Sequence, residues 1–403
     1  HLAQAHVQRV QACGQVSLVT DMEAMVRTPG GLLSSAEVQK VFKQCGFEPP
    51  PGMPLQEAFD VFVKLLDQQQ GRFFKQLRPP RGRTALPCAL EAVPGVLRRF
   101  GVSLLVLQPC GAEVHGINAV EAMPPELAGA LEVQMAHSGF LLFRGQGSWQ
   151  CESGVKGRYL TGEQQCAFTE SFGPGELHST HGVHQQSPSR DVFRLSNDPE
   201  QGFNQVGPEW HNDGSFCREV FSHVVYHIVK APPGPGNTCF AHLGAAYDVL
   251  PPAEQDRYRR CASVNSNSGV VHPLVFNHPI SKRRSLYLHT GMTGALIERV
   301  SDPLAGSVDD GVGAADLDGL RAWTAPEMDS LCRGLSAVFD LPEVCYSHRW
   351  CEGDLIVIDN LAVAHRAAPG AHDPQSGLRI LHRTTSKGSG PLDPEKRLRM
   401  PLV

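Results

Sequence analysis

No stretch of the 403 residues approaches the ~20 consecutive apolar residues that a membrane-spanning helix needs, so no membrane association is expected. No two of the twelve cysteines stand in CxxC spacing, and twelve in 403 is too sparse for a disulfide scaffold. Buried free thiols in a reducing compartment are expected instead. Basic residues are not in excess. The 36 Lys and Arg face 41 Asp and Glu, and a net charge of −5 argues against nucleic acid as a partner, because phosphate binding needs a positive field. The basic runs, Arg78 to Arg83 and Lys282-Arg283-Arg284, are short enough to be solvated turns or linkers. There is no internal repeat and no long low-complexity stretch. The chain begins at His1 rather than Met, which reads as a trimmed or processed form. A soluble, intracellular protein is expected, its compartment (cytoplasm or an organelle) left open.

What is present is the composition of an ordinary globular protein, 41% hydrophobic and 19% charged. Residues 1–76 read as helical. Ser34-Ser35-Ala36-Glu37 caps a helix carrying Val38, Val41, Phe42 and Cys45, and Leu55, Phe59, Phe62, Val63 and Leu66 repeat at helical spacing in a second. The Gly/Pro-rich connection from Glu48 to Pro54 gives a degenerate EF-hand-like arrangement without the alternating acidic ligands that calcium requires. A module for packing, partner docking or self-association is the expectation there. Residues 77–102, rich in Pro and Arg, read as a linker, 103–390 as the main domain and 391–403 as a tail. Within the main domain, Leu104–Leu107, Gly139–Phe143, Val220–Val229, Leu355–Ile358 and Leu378–Thr385 read as strands, and Pro125–Ala136 as a helix. Many short strands, few helices and no βαβ rhythm predict a mainly β core of sandwich or barrel type carrying helices.

The chemistry concentrates in Glu209-Trp-His-Asn-Asp-Gly-Ser-Phe216. In an extended strand, residues i and i+2 share a face, so His211 and Asp213 can reach one ion. A third ligand must come from elsewhere, and His365, at the end of the apolar run from Asp354, is the best placed. Two histidines and a carboxylate on one face form the facial triad of non-haem iron(II), with three positions left open. The strand Leu378–Thr385 turns Arg379, Leu381 and Arg383 to one face. An arginine inside a barrel needs an anion, either a protein acid or a bound carboxylate held bidentately by the planar guanidinium.

These motifs resemble the taurine dioxygenase/TfdA family of 2-oxoglutarate-dependent oxygenases. The resemblance runs from about residue 103 to 390. Leu107 to Asn118 is similar to the family's opening strand and turn. Phe172-Gly173 and Gly175-Glu-Leu-His178 are similar to its FGELH segment, interrupted here by Pro174. Trp210-His211-Asn212-Asp213 matches WHxD, and Pro235-Gly-Asn-Thr238-Cys-Phe-Ala241 resembles GGxTxFA. Asp359-Asn360 to His365, with His382-Arg383-Thr-Thr385, resembles the distal histidine and arginine strand. The resemblance implies a double-stranded β-helix (jelly-roll) core, with Fe(II) held by His211, Asp213 and His365. It also implies that Thr238 and Arg383 bind the co-substrate 2-oxoglutarate, with Arg379 as the rival to Arg383.

The reaction so implied is oxidative decarboxylation of 2-oxoglutarate by O2 to succinate and CO2, coupled to hydroxylation of a small, anionic substrate. Asp213 favours hydroxylation, since Gly or Ala at that position would open a halide site. His178, His181 and Asn212 are the substrate-contact candidates, and the polar stretch from Ser187 to Pro208 is the expected lid. Two alternatives remain open at this stage. One is an oxygenase fold retired to a binding or regulatory module, and the other is a zinc hydrolase using the same ligands.

Overall fold

The computed structural model describes residues 82–300 and 319–393 apart from 153, 179–182, 205–206 and 235, together with isolated positions 39, 52–55 and 58. The two expected N-terminal helices therefore lie outside the described residues. The chain divides into two compact units, Arg81–His178 with Arg194–Val403, and His1–Pro80 with Ser179–Phe193. No helix among the described residues is long and apolar enough to cross a membrane.

Ten strands frame the site. They are β1 (Ser103–Val106), β2 (Ala112–His115), β3 (Phe140–Phe143), β4 (Phe193–Ser196), β5 (His223–Lys230), β6 (Thr238–His242), β7 (Cys345–His348), β8 (Leu355–Asp359), β9 (Val363–Ala367) and β10 (Ile380–Thr385). Seven of them form one sheet in the order β1-β2-β3-β8-β5-β10-β4, and β7-β6-β9 form a second. The β2–β3 pair is parallel. The β3–β8, β8–β5 and β5–β10 pairs, and both pairs of the small sheet, are antiparallel.

Strands β3 and β8, Phe-Leu-Leu-Phe and Leu-Ile-Val-Ile, are apolar at successive positions because both of their faces are covered. On one face Leu142, Ile228, Ile356 and Ile358 share a core with Phe240 and Val363 of the small sheet. On the other, Leu141, Val225 and Val357 pack against Leu127 and Leu131 of helix α1 (Pro125–Ser138) and Phe168 of helix α2 (Gly162–Thr169). A reciprocal capping box between Thr161 and Gln164 starts α2.

Two boundaries differ from those expected. Val93–Arg99, assigned to the linker 77–102, forms a helix whose Val93, Val96 and Leu97 join the core, because apolar residues three and four apart outweigh the surrounding prolines. Leu392, assigned to the tail 391–403, is buried with Phe276 and Tyr287. The last strand also starts at Ile380 rather than Leu378, with a register shift between Ile380 and Leu381.

Two buried histidines are locked neutral by their partners. His227 on β5 accepts the Leu160 amide at Nε2 and faces the Asp354 carbonyl at Nδ1. His242 accepts the Gly244 and Ala245 amides at Nδ1 and faces the His137 carbonyl at Nε2. A second proton on either ring would meet an N–H donor. Burial pushes each down to about 4. Their folded values lie below the unfolded one, so the unfolded chain binds more protons and stability is lost as pH falls below about 6.5. Each is expected to contribute a slope of up to about 1.4 kcal/mol per pH unit between pH 6 and about 4. Urea unfolding across that range checks this, and His227→Gln should flatten the curve; an unchanged slope would show that the ring is not held neutral.

Candidate active site

His211 and His365, 154 positions apart in sequence, are cross-bonded backbone to backbone. The His211 amide donates to the His365 carbonyl at 3.1 Å and the His365 amide to the His211 carbonyl at 2.9 Å. The segment before His211 thus lies along the edge of β9, continued by the Ala367 amide on the Gly207 carbonyl at 2.7 Å. Paired residues in an antiparallel bridge direct their side chains to one side. The two rings stand 4.2 Å apart between centroids. Gly207, with φ +71°, lets the chain pass close to the ring, since a Cβ there would stand 3.0 Å from His211 Cε1.

Asp213 completes the group. Potential ligand atoms of His211, Asp213 and His365 all lie within 4.8 Å of one another, and all three side chains are buried. Asn360, in the β8–β9 turn, clasps the Asp213 backbone on both sides. Its Oδ1 accepts the Asp213 amide and its Nδ2 donates to the Asp213 carbonyl. His211 Nδ1 stands 2.7 Å from the Glu209 carbonyl, which leaves Nε2 as the ligand atom.

The protonation states suit a cation. Burial, reinforced at His365 by neighbouring charge, lowers both imidazoles, His365 well below its ordinary value. At Asp213 burial works against ionisation, yet its neighbours, the Arg383 guanidinium foremost, outweigh it and hold the carboxyl at about 2. Two neutral imidazoles and an ionised carboxylate are the states in which these groups donate to a metal.

Arg379, Leu381 and Arg383 line one cavity with His211, Thr238 and His365. The two arginines are differently engaged. Arg383 donates from a terminal nitrogen to Asp213 Oδ1 at 2.7 Å. Arg379 is buried, and among the described residues its Nε has no hydrogen-bond partner and its guanidinium makes one side-chain hydrogen bond, a long 3.4 Å donation to Thr238 Oγ1. Burial alone pushes it down to about 10, with no acid opposing. Trp350 Nε1 also donates to Thr238 Oγ1 at 3.0 Å, so the hydroxyl receives two donors and its own proton is available to an anion. A buried guanidinium with an orphaned nitrogen beside a donating hydroxyl fits a carboxylate.

The three residues singled out for substrate contact fare differently. Asn212 is buried, and its Nδ2 donates to the Asn360 and Val363 carbonyls, away from the cavity, because adjacent residues of an extended segment face opposite sides. The structure thus does not bring Asn212 to the cavity where substrate contact was expected. His178 stacks on Phe221 at 4.3 Å and hydrogen-bonds the end of β10 through its amide, outside the cavity lining. His181 lies outside the described residues.

Tyr226, Trp350 and Asn360 were not singled out as site residues from sequence. Tyr226 on β5 sits opposite Arg383 of β10 and brings its hydroxyl to 2.7 Å from His365 Nε2 and 3.2 Å from Asp213 Oδ2. The available signal was a phenol within the apolar His-Val-Val-Tyr-His-Ile-Val run, where burial obliges a hydroxyl to find a partner.

Two histidines and one carboxylate within ligand distance of one another, the histidines lining a cavity with two arginines, have the pattern of a mononuclear facial-triad metal centre. The sequence pattern of the taurine catabolism dioxygenase TauD, TfdA family matches residues 104–385. The chain belongs to this family of α-ketoglutarate-dependent non-haem iron dioxygenases. An α-ketoglutarate-dependent 2,4-dichlorophenoxyacetate dioxygenase of Cupriavidus pinatubonensis is 27% identical over 310 residues, covering 68% of this chain and 93% of the relative. An α-ketoglutarate-dependent sulfate ester dioxygenase of Pseudomonas putida is 24% identical over 316 residues, covering 72% and 90%. Among solved structures, a taurine dioxygenase from Burkholderia xenovorans superposes with a TM-score of 0.55 at 24% identity, covering 73% of this chain and 91% of that one. AAD-2 in complex with Mn(II) and N-oxalylglycine gives a TM-score of 0.53 at 24% identity, covering 72% and 98%. These likenesses establish the fold, and the dioxygenase family sets aside the zinc-hydrolase alternative.

Proposed function

We propose that this chain is an Fe(II)- and 2-oxoglutarate-dependent dioxygenase that hydroxylates a C–H bond of a small organic anion, releasing succinate and CO2. Its two facing sheets are read as a double-stranded β-helix. His211, Asp213 and His365 would hold the iron, which supplies the oxidising chemistry when dioxygen and 2-oxoglutarate are present. Arg379 and Thr238 take the distal carboxylate of 2-oxoglutarate. The observation that carries this reading is Arg379, a buried cation with a nitrogen unpartnered among the described residues, on the same cavity as His211 and His365. It favours Arg379 over Arg383 for the co-substrate, since the Arg383 guanidinium is engaged by Asp213.

Charge points to the substrate class. With a divalent ion bound, the metal, Arg379 and Arg383 together exceed Asp213 by three positive charges. The keto-diacid cancels two of them, leaving one for a monoanion. The names of the relatives agree, since aryloxyacetates and sulfate esters are both small organic anions. Enclosure by the two sheets keeps bulk water from the reacting groups.

The test is succinate release and oxygen uptake by the full chain with Fe(II), 2-oxoglutarate and ascorbate, screened over sulfonates, sulfate esters and aryloxy acids. At least one anion should stimulate succinate formation above the substrate-free rate. A protein that binds neither Fe(II) nor 2-oxoglutarate would sink the proposal and favour a retired, non-catalytic module.

A further inference from the structure

The family reading accounts for the triad and the two arginines and leaves the Tyr226 hydroxyl without a task. Tyr226 lies on β5 among Val224, Val225, Ile228 and Val229, all fully buried. Its ring packs against Phe240 and His365, contacts that a phenylalanine would make equally well. What phenylalanine would lack is the oxygen, which meets His365 Nε2 at 2.7 Å, Asp213 Oδ2 at 3.2 Å and the Arg383 guanidinium. A buried phenol must find polar partners for its hydroxyl. This one is aimed at two metal ligands and a cation.

The distances have a further meaning. Ligand atoms about 2.1 Å from a six-coordinate ion stand about 3.0 Å apart on adjacent vertices. The phenol oxygen is separated by close to that edge length from one atom each of His365 and Asp213. Those two atoms are themselves 3.8 Å apart, between the adjacent and the opposite spacing of such an ion.

We propose that Tyr226 is a fourth protein ligand of the metal centre, its phenol oxygen occupying the vertex beside both His365 and Asp213 whenever the metal is bound without keto acid. The inference rests on the triad being a metal centre, and goes beyond it. Ligation as phenolate releases one proton to solvent, and the Arg383 guanidinium offsets the charge gained. Of the three positions that the triad leaves open, Tyr226 would fill one in the absence of keto acid.

The experiment is to load the full chain with Fe(III), without 2-oxoglutarate, and record visible absorption and resonance Raman spectra, with Mn(II) affinity measured in parallel by calorimetry. The wild type should show a phenolate-to-iron(III) charge-transfer band with tyrosinate vibrations. Tyr226→Phe should lose both while still binding Mn(II), weakened roughly tenfold. His365→Ala should bind neither metal tightly. A wild type that binds Mn(II) but shows no charge-transfer band overturns the proposal and leaves the triad standing. A band that survives in Tyr226→Phe overturns it as well, by placing the ligand on another tyrosine. A wild type that binds no metal at all overturns the metal-centre reading, and this inference falls with it.

Discussion

Asp213→Ala is expected to bring metal binding and 2-oxoglutarate turnover down together, with metal affinity lowered by more than about a hundredfold. Loss of a group that merely supports a ligand already costs 10- to 100-fold, and here the ligand itself is removed. The same substitution should also destabilise the apo protein. Arg383 donates to Asp213 at 2.7 Å with both side chains largely enclosed, and breaking one partner of a buried pair costs about 3–5 kcal/mol. His365→Ala should match the loss of metal and turnover without exposing an unpaired charge. Calorimetric Mn(II) titration, succinate release and thermal unfolding of the two variants check this. Turnover that persists in both would remove the triad from the chemistry. A variant without metal affinity but with wild-type stability at Asp213 would show that Arg383 is not held by it.

The second expectation carries opposite signs for function and stability. Arg379→Met should raise the KM for 2-oxoglutarate by roughly thirtyfold to several thousandfold, the equivalent of about 2–5 kcal/mol for a buried charge-assisted pair. It should leave the apo protein as stable as the wild type or more so. The guanidinium is buried, burial pushes it down to about 10, and among the described residues its Nε is unpartnered and no acid pairs with it, so an apolar side chain of similar length relieves a cost. Arg383→Met should do the reverse, lowering stability and metal affinity by leaving Asp213 without its counter-ion. Initial rates over a 2-oxoglutarate series and thermal unfolding separate the two arginines. A KM that moves at Arg383 and stays at Arg379 would return the co-substrate to Arg383.

Those contrasting expectations mark where local pattern stops being informative. His211 and Asp213 were legible as a ligand pair because a two-residue repeat in extended chain is a local property. The apolar runs of β3 and β8 were legible for a related reason, since a strand covered on both faces has no polar side to show. Helix α1 was read from its own periodicity, within two residues of its observed end.

The arginines differ in kind. Arg379 and Arg383 are four apart on one strand, so alternation turns both to the same cavity and cannot rank them. The decision lies in what stands opposite. The β6–β9 register sets Ala367 against Thr238, beside Arg379, while the β5–β10 register sets Tyr226 against Arg383, beside Asp213. Both are pairings between segments more than 100 positions apart.

Asn212 was misjudged for a related reason. Proximity in sequence to two ligands suggested the cavity, whereas the pleat sends the intervening side chain to the β8–β9 turn. The metal ligands opened the reading: residue type and local spacing gave the His211–Asp213 ligand pair and a mainly β core, and the ordered motifs gave the resemblance that implied an oxygenase. Only the tertiary structure decided that His365 is cross-bonded to His211, that Arg383 rather than Arg379 is paired with Asp213, and that the Tyr226 hydroxyl stands beside His365 and Asp213. Each depends on long-range register, which no local window of sequence contains.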